Sequence, residues 1–177
     1  MEYTNSALAE YIRLSPNMTS DKTHPIDTVT VHCAVCFLDV ESLGEHFASK
    51  EKRVSSNYGI GSDGKIAMYV EEKNRSWCSS SPENDGRAVT IEVASEDCEP
   101  YAVSDKAFEA LIRLLADICR RNGIKRLVWS ENKDERVNHK NGCNMTVHRD
   151  FDPEKSCPGT YLYERHGEIA RRVNALI

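Results

Sequence analysis

The chain has 177 residues, of which 40% are hydrophobic and 29% are charged, and its formal net charge is −5. This length and composition predict one globular domain with its own core, and the negative charge argues against a nucleic-acid partner because no basic surface dominates. No apolar run approaches the roughly 20 residues that span a bilayer, so membrane insertion is not expected. The N-terminus lacks the basic and apolar regions of a signal peptide, which predicts synthesis in the cytoplasm.

Alternating β-branched residues predict strands, and apolar residues three or four positions apart predict amphipathic helices. Ser104 and Gly123 mark the start and the end of the clearest helical pattern. In chain order, the expected elements are a lead-in over residues 1–25 with a helix at 6–14, a strand at 26–34, a helix at 39–47, a hairpin at 55–70, a polar loop at 71–86, a strand at 87–94, a helix at 104–122, a strand at 124–129, a charged loop at 130–142, a strand at 145–148 and a helix at 169–177. This alternation predicts an α/β fold, a single domain with a central mixed β-sheet flanked by helices.

The seven cysteines are an odd number in a chain without a visible signal peptide, which favours free thiols or metal ligands over a disulfide framework. Cys33 and Cys36 form a lone CxxC pair. A zinc ribbon would need a second such pair, and a redox site would need the pair to open a helix, so this motif alone is a weak signal. In a strand, Cys33 is expected to point away from its neighbour His32.

The segment from residue 145 to residue 159 presents His148, Lys155 and Cys157 within ten residues of irregular, Pro-containing chain. One nitrogen and one sulfur donor suit zinc but do not complete a site, and His32, at the end of a predicted strand, is the best third ligand. Two imidazoles and a thiolate would leave a fourth position open, as in catalytic rather than structural zinc sites. The simpler alternative is a half-buried His32, a loop His148 and an inert Cys157.

Two further residues could take part in chemistry at such a metal. Glu92 interrupts a β-branched strand, so its carboxylate either faces solvent or is buried with a partner. Facing the metal, Glu92 would act as a general base and later pass the proton to a leaving amine. Lys155, otherwise an ordinary loop lysine, could stabilise the oxyanion of a tetrahedral intermediate.

A set of motifs, taken in chain order, carries a resemblance to a known family. The motifs are Ser15-Pro16-Asn17, residues 26–33, 55–64, 69–72, 75–78, 84–94, 146–149 and 155–159, and Tyr161-Leu162-Tyr163. Together they resemble zinc-dependent N-acetylmuramoyl-L-alanine amidases of the type 2 family, in particular the catalytic domains of phage and prophage endolysins. The resemblance covers nearly the whole chain.

The resemblance implies a fold related to peptidoglycan recognition proteins and one catalytic domain over residues 1–177, without a separate cell-wall-binding domain. It implies Zn²⁺ on His32, His148 and Cys157, with Glu92 as catalytic acid/base and Lys155 as an assisting cation. The third ligand is Cys in some members and Asp in others. The implied substrate is bacterial peptidoglycan, cut between N-acetylmuramic acid and L-alanine, and an endolysin would act on the wall after its release from the cell.

Substrate binding is expected at Asn57, Tyr58, Trp77, Asn84 and Arg149. Each has a packing alternative: Trp77 could anchor a loop instead of stacking on substrate, and Asn84 and Arg149 could tie loops together. Many relatives carry His where this chain has Asn57, and the segment around it is interpreted as groove lining. Two other functions compete with catalysis: a non-catalytic muropeptide-binding module, whose known examples commonly lose the metal thiolate, and an interaction domain built on structural zinc.

Overall fold

The computed structural model describes residues 3–36 and 38–177. The strands are β1 (Tyr11–Ile12), β2 (Met18–Thr19), β3 (Thr28–Cys33), β4 (Tyr58–Ile60), β5 (Ile66–Met68), β6 (Arg75–Ser76), β7 (Ala88–Val93) and β8 (Met145–Thr146). The helices are α1 (Val40–Ala48), α2 (Pro82–Asp85), α3 (Asp105–Asn122), α4 (Lys133–Val137) and α5 (Gly159–Asn174), with short 3₁₀ turns at Lys140–Gly142 and His148–Asp150. The predicted single α/β domain with a mixed central sheet is confirmed.

Six strands form the central sheet in the order β1-β5-β4-β7-β3-β8, and β2 pairs with β6 separately. The β4–β5 hairpin is antiparallel, whereas β1–β5, β4–β7, β7–β3 and β3–β8 are parallel. The parallel register places His32 directly beside Glu92. Because β3, β7 and β8 run in the same direction, the side chains at their carboxyl ends collect at one edge of the sheet.

One face of the sheet is apolar and is covered by the two long helices α3 and α5. Alternate residues of β3 and β7 point to it, and they pack against buried leucines of the helices. Helix α3 begins after Ser104, whose hydroxyl accepts a hydrogen bond from the Ala107 amide, and ends at Gly123 with a φ of 69°. The residues of this core include Val29, Val31, Val89, Ile91, Val93, Leu111, Leu114, Leu115 and Leu162.

The other face of the sheet is divided into an apolar and a polar part. Helix α1 covers the side near β5, where Leu43 and Phe47 pack on Tyr69. The middle of this face, over β3 and β7, is polar and leads to His32 and Glu92 at the edge. Buried threonine and asparagine side chains bond one another there, including Thr30, Asn84 and Thr146. The functional edge of the sheet is therefore supported by hydrogen bonds rather than by apolar contacts.

Several predicted elements differ from the structure. The predicted helix at 6–14 is wrong: Tyr11 and Ile12 form an edge strand with β5, because pairing with the sheet stabilises them more than a marginal helix of nine residues would. Residues 124–129 do not form a strand within the described chain. Their amides bond to side chains instead, with Leu127 N donating to Asn174 Oδ1. None of the described helices is both long and apolar enough to cross a membrane.

Two loops and one helix also have different limits from those predicted. The polar loop at 71–86 contains β6 and α2, and the charged loop at 130–142 contains α4. The last helix starts at Gly159, well before the predicted residue 169, because its first turns bury Leu162 and His166 in the core. The helices at 39–47 and 104–122, the hairpin at 55–70 and the strands at 26–34 and 87–94 are confirmed within a few residues.

Candidate metal centre and active-site cleft

His32, His148 and Cys157 meet at the carboxyl edge of the sheet. Their ligand atoms all lie within 4.8 Å of one another. Nδ1 of His32 is 3.3 Å from Sγ of Cys157, and the centroids of the two imidazole rings are 5.0 Å apart. From the usual zinc–nitrogen and zinc–sulfur bond lengths, neighbouring ligand atoms around tetrahedral zinc are about 3.3–3.6 Å apart. The donor types and their spacing therefore fit one zinc ion.

Each of the three residues is placed by a different element. His32 lies on β3 and points to the polar face, opposite to Cys33, whose side chain belongs to the core. His148 follows β8, and Oγ of Ser80 lies 3.0 Å from its Nε2 atom. Cys157 ends the loop before α5, and its sulfur accepts a hydrogen bond from the Cys33 amide at 3.4 Å. Residues from both ends of the chain thus form one cluster.

The electrostatic environment keeps both histidines neutral. Burial, reinforced by the nearby His148, lowers the pKa of His32 well below its ordinary value. Burial and the charge of Lys155 lower the pKa of His148 to about 4. Neutral imidazole is the form that binds a metal. In addition, Nε2 of His32 is buried and has no hydrogen-bond partner among the described residues, so this ring has an unmet polar interaction.

Glu92 stands next to this cluster. Its Oε1 atom is 3.9 Å from Nδ1 of His32, and its side chain is 17% exposed. Its Oε2 atom is buried without a hydrogen-bond partner among the described residues. Burial, with a smaller contribution from Cys33, raises the pKa of Glu92 well above its ordinary value. A partly exposed carboxyl group with a raised pKa beside a metal cluster is suited to proton transfer.

A cleft with two lobes opens beside Glu92 and His148, and Trp77 lines both lobes. The first lobe is mainly apolar and has a volume of about 220 Å³; it is lined in part by Leu38, Leu43, Phe47, Val54 and Trp77. The second lobe is basic and includes Arg53, Arg75, Trp77, Ser80, His148 and Lys155. Lys155 is exposed at its rim, near His148. The structure thus places Trp77 and Lys155 in the cleft with Glu92.

Asn57 and Tyr58 do not line the cleft, which corrects the interpretation of this segment as groove lining. Both residues are fully buried. The amide of Asn57 donates to the Val70 carbonyl, and its oxygen accepts from the Thr90 amide. The ring of Tyr58 belongs to the core on the apolar face, and its hydroxyl donates to Glu72 at 2.7 Å. Their hydrogen-bonding groups are already used inside the protein.

Asn84 also lies outside the cleft, because it is buried in the polar layer of the sheet. Its amide donates to the hydroxyls of Thr30 at 3.0 Å and Ser79 at 2.9 Å. Its oxygen accepts from the Thr146 hydroxyl at 3.0 Å. This corrects the expectation that Asn84 bonds to substrate: its three polar contacts join α2 to β3 and β8.

Arg149 holds the loop that carries Cys157. Its guanidinium lies 4.7 Å from the centroid of the Tyr163 ring and donates to the Ser156 carbonyl. Its amide donates to the Cys157 carbonyl at 3.2 Å. These contacts direct the guanidinium to α5 and to its own loop, and substrate binding by Arg149 stays a prediction. Arg149 therefore positions a predicted metal ligand.

A buried ion pair, which the sequence does not predict, supports the turn that carries His148. Arg136 is 2% exposed and donates to both carboxylate oxygens of Asp150, at 3.0 and 2.6 Å. The same carboxylate accepts from the Val147 amide at 3.1 Å. The residues before and after His148 are fixed in this way. Arg136 falls in the segment that was predicted as a charged loop, where nothing local distinguishes it from exposed charges.

The sequence does not predict the contacts of the segment from residue 78 to residue 80 either. Asp85 is buried in α2, and its carboxylate accepts from the amides of Cys78 at 3.0 Å and Ser79 at 3.1 Å. This places the thiol of Cys78 beside Glu92 and the hydroxyl of Ser80 beside His148. Serines are common in loops, so the residues at 78–80 do not by themselves predict the contacts with Glu92 and His148. Recognising the short helix α2 would have indicated the role of Asp85 as an anchor.

The fold and the cleft define a class: a single-domain α/β protein with an open candidate metal centre at the carboxyl edge of its sheet. The chain belongs to the N-acetylmuramoyl-L-alanine amidase family, whose model matches residues 22–160. The family that the motifs predicted is thereby confirmed. No curated protein matches the chain at a significant level.

Solved structures of low sequence identity share the fold. The catalytic domain of XlyA superposes with a TM-score of 0.66 at 14% identity, covering 92% of this chain and 97% of that one. PlyL superposes with a TM-score of 0.62 at 16% identity, covering 98% of this chain and 97% of that one. The Drosophila peptidoglycan recognition protein SA superposes with a TM-score of 0.64 at 17% identity, covering 89% of this chain and 90% of that one. At these identities the similarity establishes the fold alone.

Proposed function

We propose that this protein hydrolyses the amide bond between N-acetylmuramic acid and L-alanine in bacterial peptidoglycan, with Zn²⁺ held by His32, His148 and Cys157. Membership in the amidase family supports the reaction and the substrate class. The observation that carries the proposal is the cluster of two neutral imidazoles and one thiol beside the carboxyl group of Glu92. Three protein ligands leave room for the reacting groups, as catalytic zinc requires.

When bound, the zinc ion would supply Lewis acidity to the amide carbonyl and to the attacking water. Glu92 accepts the proton of that water and then delivers it to the departing alanine nitrogen. Its raised pKa suits both steps, because the carboxyl group must hold the proton between them. Lys155, at the rim of the basic lobe, stabilises the negative charge that develops on the carbonyl oxygen.

The cleft offers a place for both parts of the substrate. Trp77 presents its ring to both lobes, and aromatic rings of this kind stack on sugars or pack on peptide stems. The basic lobe, with Arg53 and Arg75, suits the carboxylates of a stem peptide. The resemblance of the sequence motifs to phage and prophage endolysin domains supports a lytic enzyme that acts on the cell wall.

The proposal is tested by incubating purified cell walls with the protein and analysing the soluble products by mass spectrometry. We expect stem peptides with a free N-terminal alanine and glycan strands with a free lactyl carboxylate. A chelator should abolish their release, and added Zn²⁺ should restore it. Cleavage within the glycan or within the peptide would contradict the proposal.

The same experiment separates catalysis from the non-catalytic alternative. A muropeptide-binding module would sediment with the walls without releasing any amine. The presence of Cys157 next to both imidazoles favours the catalytic function, because a binding module has no need of the thiol.

A further inference from the structure

The thiol of Cys78 lies inside the active-site cleft, and the proposed reaction does not use it. Its sulfur is 3.7 Å from Oε1 of Glu92, and its backbone amide donates a hydrogen bond to the Asp85 carboxylate. Cys78 lines both lobes of the cleft, so a cation in solvent has access to it. With Glu92 and His32 it forms a second trio whose ligand atoms lie within 4.8 Å of one another.

The donors of this second trio suit a soft divalent cation. Thiolate, carboxylate and imidazole are the three ligand types that zinc takes in proteins. The spacings of 3.7 Å from Cys78 to Glu92 and 3.9 Å from Glu92 to His32 are close to the roughly 3.3–3.6 Å between neighbouring ligands of tetrahedral zinc. Small rotations of the Glu92 side chain would be enough to close the difference.

Unmet polar interactions in the same place point to a ligand as well. Oε2 of Glu92 and Nε2 of His32 are buried without hydrogen-bond partners among the described residues. A buried polar atom without a partner destabilises the folded protein, and a charged group does so more strongly. A cation held by both oxygens of the Glu92 carboxylate would give the buried Oε2 atom a partner.

We propose that the cleft contains a second position for a soft divalent cation, formed by His32, Cys78 and Glu92, which overlaps the first. Because His32 belongs to both trios, a cation bound through it occupies one position at a time. Binding at the second position releases the thiol proton of Cys78 to solvent and makes the Glu92 carboxylate a ligand. Glu92 is then no longer a base, so the second position is an inhibited state. Only this last step rests on the proposed function.

The variant Cys157→Ala isolates the second position, because it removes the only sulfur of the first trio. The full chain is titrated with Cd²⁺, the charge-transfer absorbance between thiolate and cadmium is recorded, and equilibrium dialysis gives the stoichiometry. We expect Cys157→Ala to bind one Cd²⁺ with a thiolate band, at an affinity about tenfold or more below that of the wild type.

Two double variants identify the sulfur that binds. Cys157→Ala with Cys78→Ala should lose the thiolate band. Cys157→Ala with Cys36→Ala, which removes an exposed thiol outside the cleft, should keep it unchanged. The proposal is overturned if Cys157→Ala shows no band, or if the band survives the loss of Cys78.

A third variant decides the matter if the loss of both thiols prevents folding, as judged by circular dichroism. Cys157→Ala with Glu92→Gln keeps Cys78 and replaces the carboxylate by a neutral group of the same shape. We expect its Cd²⁺ affinity to fall about tenfold further, since a ligand is lost. An unchanged affinity would overturn the proposal. All of these readouts measure binding, so they hold whether or not the wild-type protein hydrolyses peptidoglycan.

Discussion

The two faces of the central sheet are made by alternate residues of the same strands, yet one face is apolar and the middle of the other is polar. On β3, Val29 and Val31 enter an apolar core between the sheet and the long helices. Thr30 and His32, each one residue further along, face a layer of buried hydrogen bonds that ends in the cleft. Because successive side chains of a strand point to opposite faces of the sheet, one strand can contribute to the core on one face and supply reactive groups on the other.

The difference lies in how the buried groups are satisfied. The apolar face needs only burial, which contributes roughly 1.5–3 kcal/mol for each large aliphatic side chain. The polar face needs a partner for each donor and acceptor, and Thr30, Asn84 and Thr146 supply them to one another. At the edge, Glu92 and His32 each keep a buried atom without a partner in the described chain. Glu92 and His32 therefore lie where the layer of mutually paired side chains ends and the functional site begins.

The largest effect on the polar side is expected from Glu92→Gln. Glutamine has the same shape but cannot accept the proton, so the rate of amine release from purified walls should fall about 10²–10⁴-fold. The zinc content, measured by atomic absorption, should not change, because the His32, His148 and Cys157 trio is intact. Activity near that of the wild type would remove Glu92 from the mechanism.

The support beneath His148 is tested by Arg136→Met. The change leaves the Asp150 carboxylate buried and unpaired, which should lower the free energy of unfolding in urea by about 3–5 kcal/mol. The matched control is Lys140→Met, which breaks the exposed pair with Asp134 and should change the free energy of unfolding far less, because solvent screens that pair. Equal losses in the two variants would contradict the role assigned to the buried pair.

The apolar side tolerates His166 only in its neutral form. This ring is fully buried, and its Nδ1 atom lies 2.7 Å from the Leu162 carbonyl. Burial lowers its pKa to about 4. The unfolded chain takes up the proton near pH 6.5 and the folded chain only near pH 4, so stability should be lost as the pH falls between these values, by up to about 3 kcal/mol.

The measurement for this prediction is the free energy of unfolding at pH 7 and pH 5 in the wild type and in His166→Gln. The carboxylates titrate alike in both proteins, so the difference between their pH slopes isolates the histidine. The variant should show the shallower loss on acidification. Parallel slopes would contradict the assignment of a neutral His166.

The smallest effect is expected from Asn84→Ala in the polar layer. It leaves the hydroxyls of Thr30, Ser79 and Thr146 short of a partner and should cost about 1–3 kcal/mol of stability. Asn138→Ala removes two solvent-exposed hydrogen bonds to Asp134 and should cost less stability than Asn84→Ala, because water replaces the lost partner. The KM for cell walls should stay the same. A raised KM with unchanged stability would instead show that Asn84 contacts substrate.

The same comparison explains what the sequence could predict. The alternating pattern of β3 and β7 gave the strands, and the register of two parallel strands then brings His32 beside Glu92. Motifs along the chain identified the family, but they did not distinguish residues of the cleft from residues of the layer beneath it. Asn57 and Asn84 lie within such motifs and are buried, so their place in the motif reflects packing.

Contacts between distant loops could not be predicted. Cys78 and Ser80 contact Glu92 and His148 because Asp85 of α2 holds the backbone of residues 78 and 79. No residue spacing in the sequence predicts these contacts. The edge strand β1 was missed for a related reason, since its partner β5 lies more than fifty residues away and outweighs the local helical pattern.

The most direct test of the account is X-ray diffraction at the zinc absorption edge from crystals of the wild-type protein. We expect one anomalous peak at roughly 2.0–2.3 Å from a nitrogen of His32, a nitrogen of His148 and the sulfur of Cys157, with an open side facing Glu92. A fully active protein with no peak among these three residues would contradict the metal centre on which the proposed function depends.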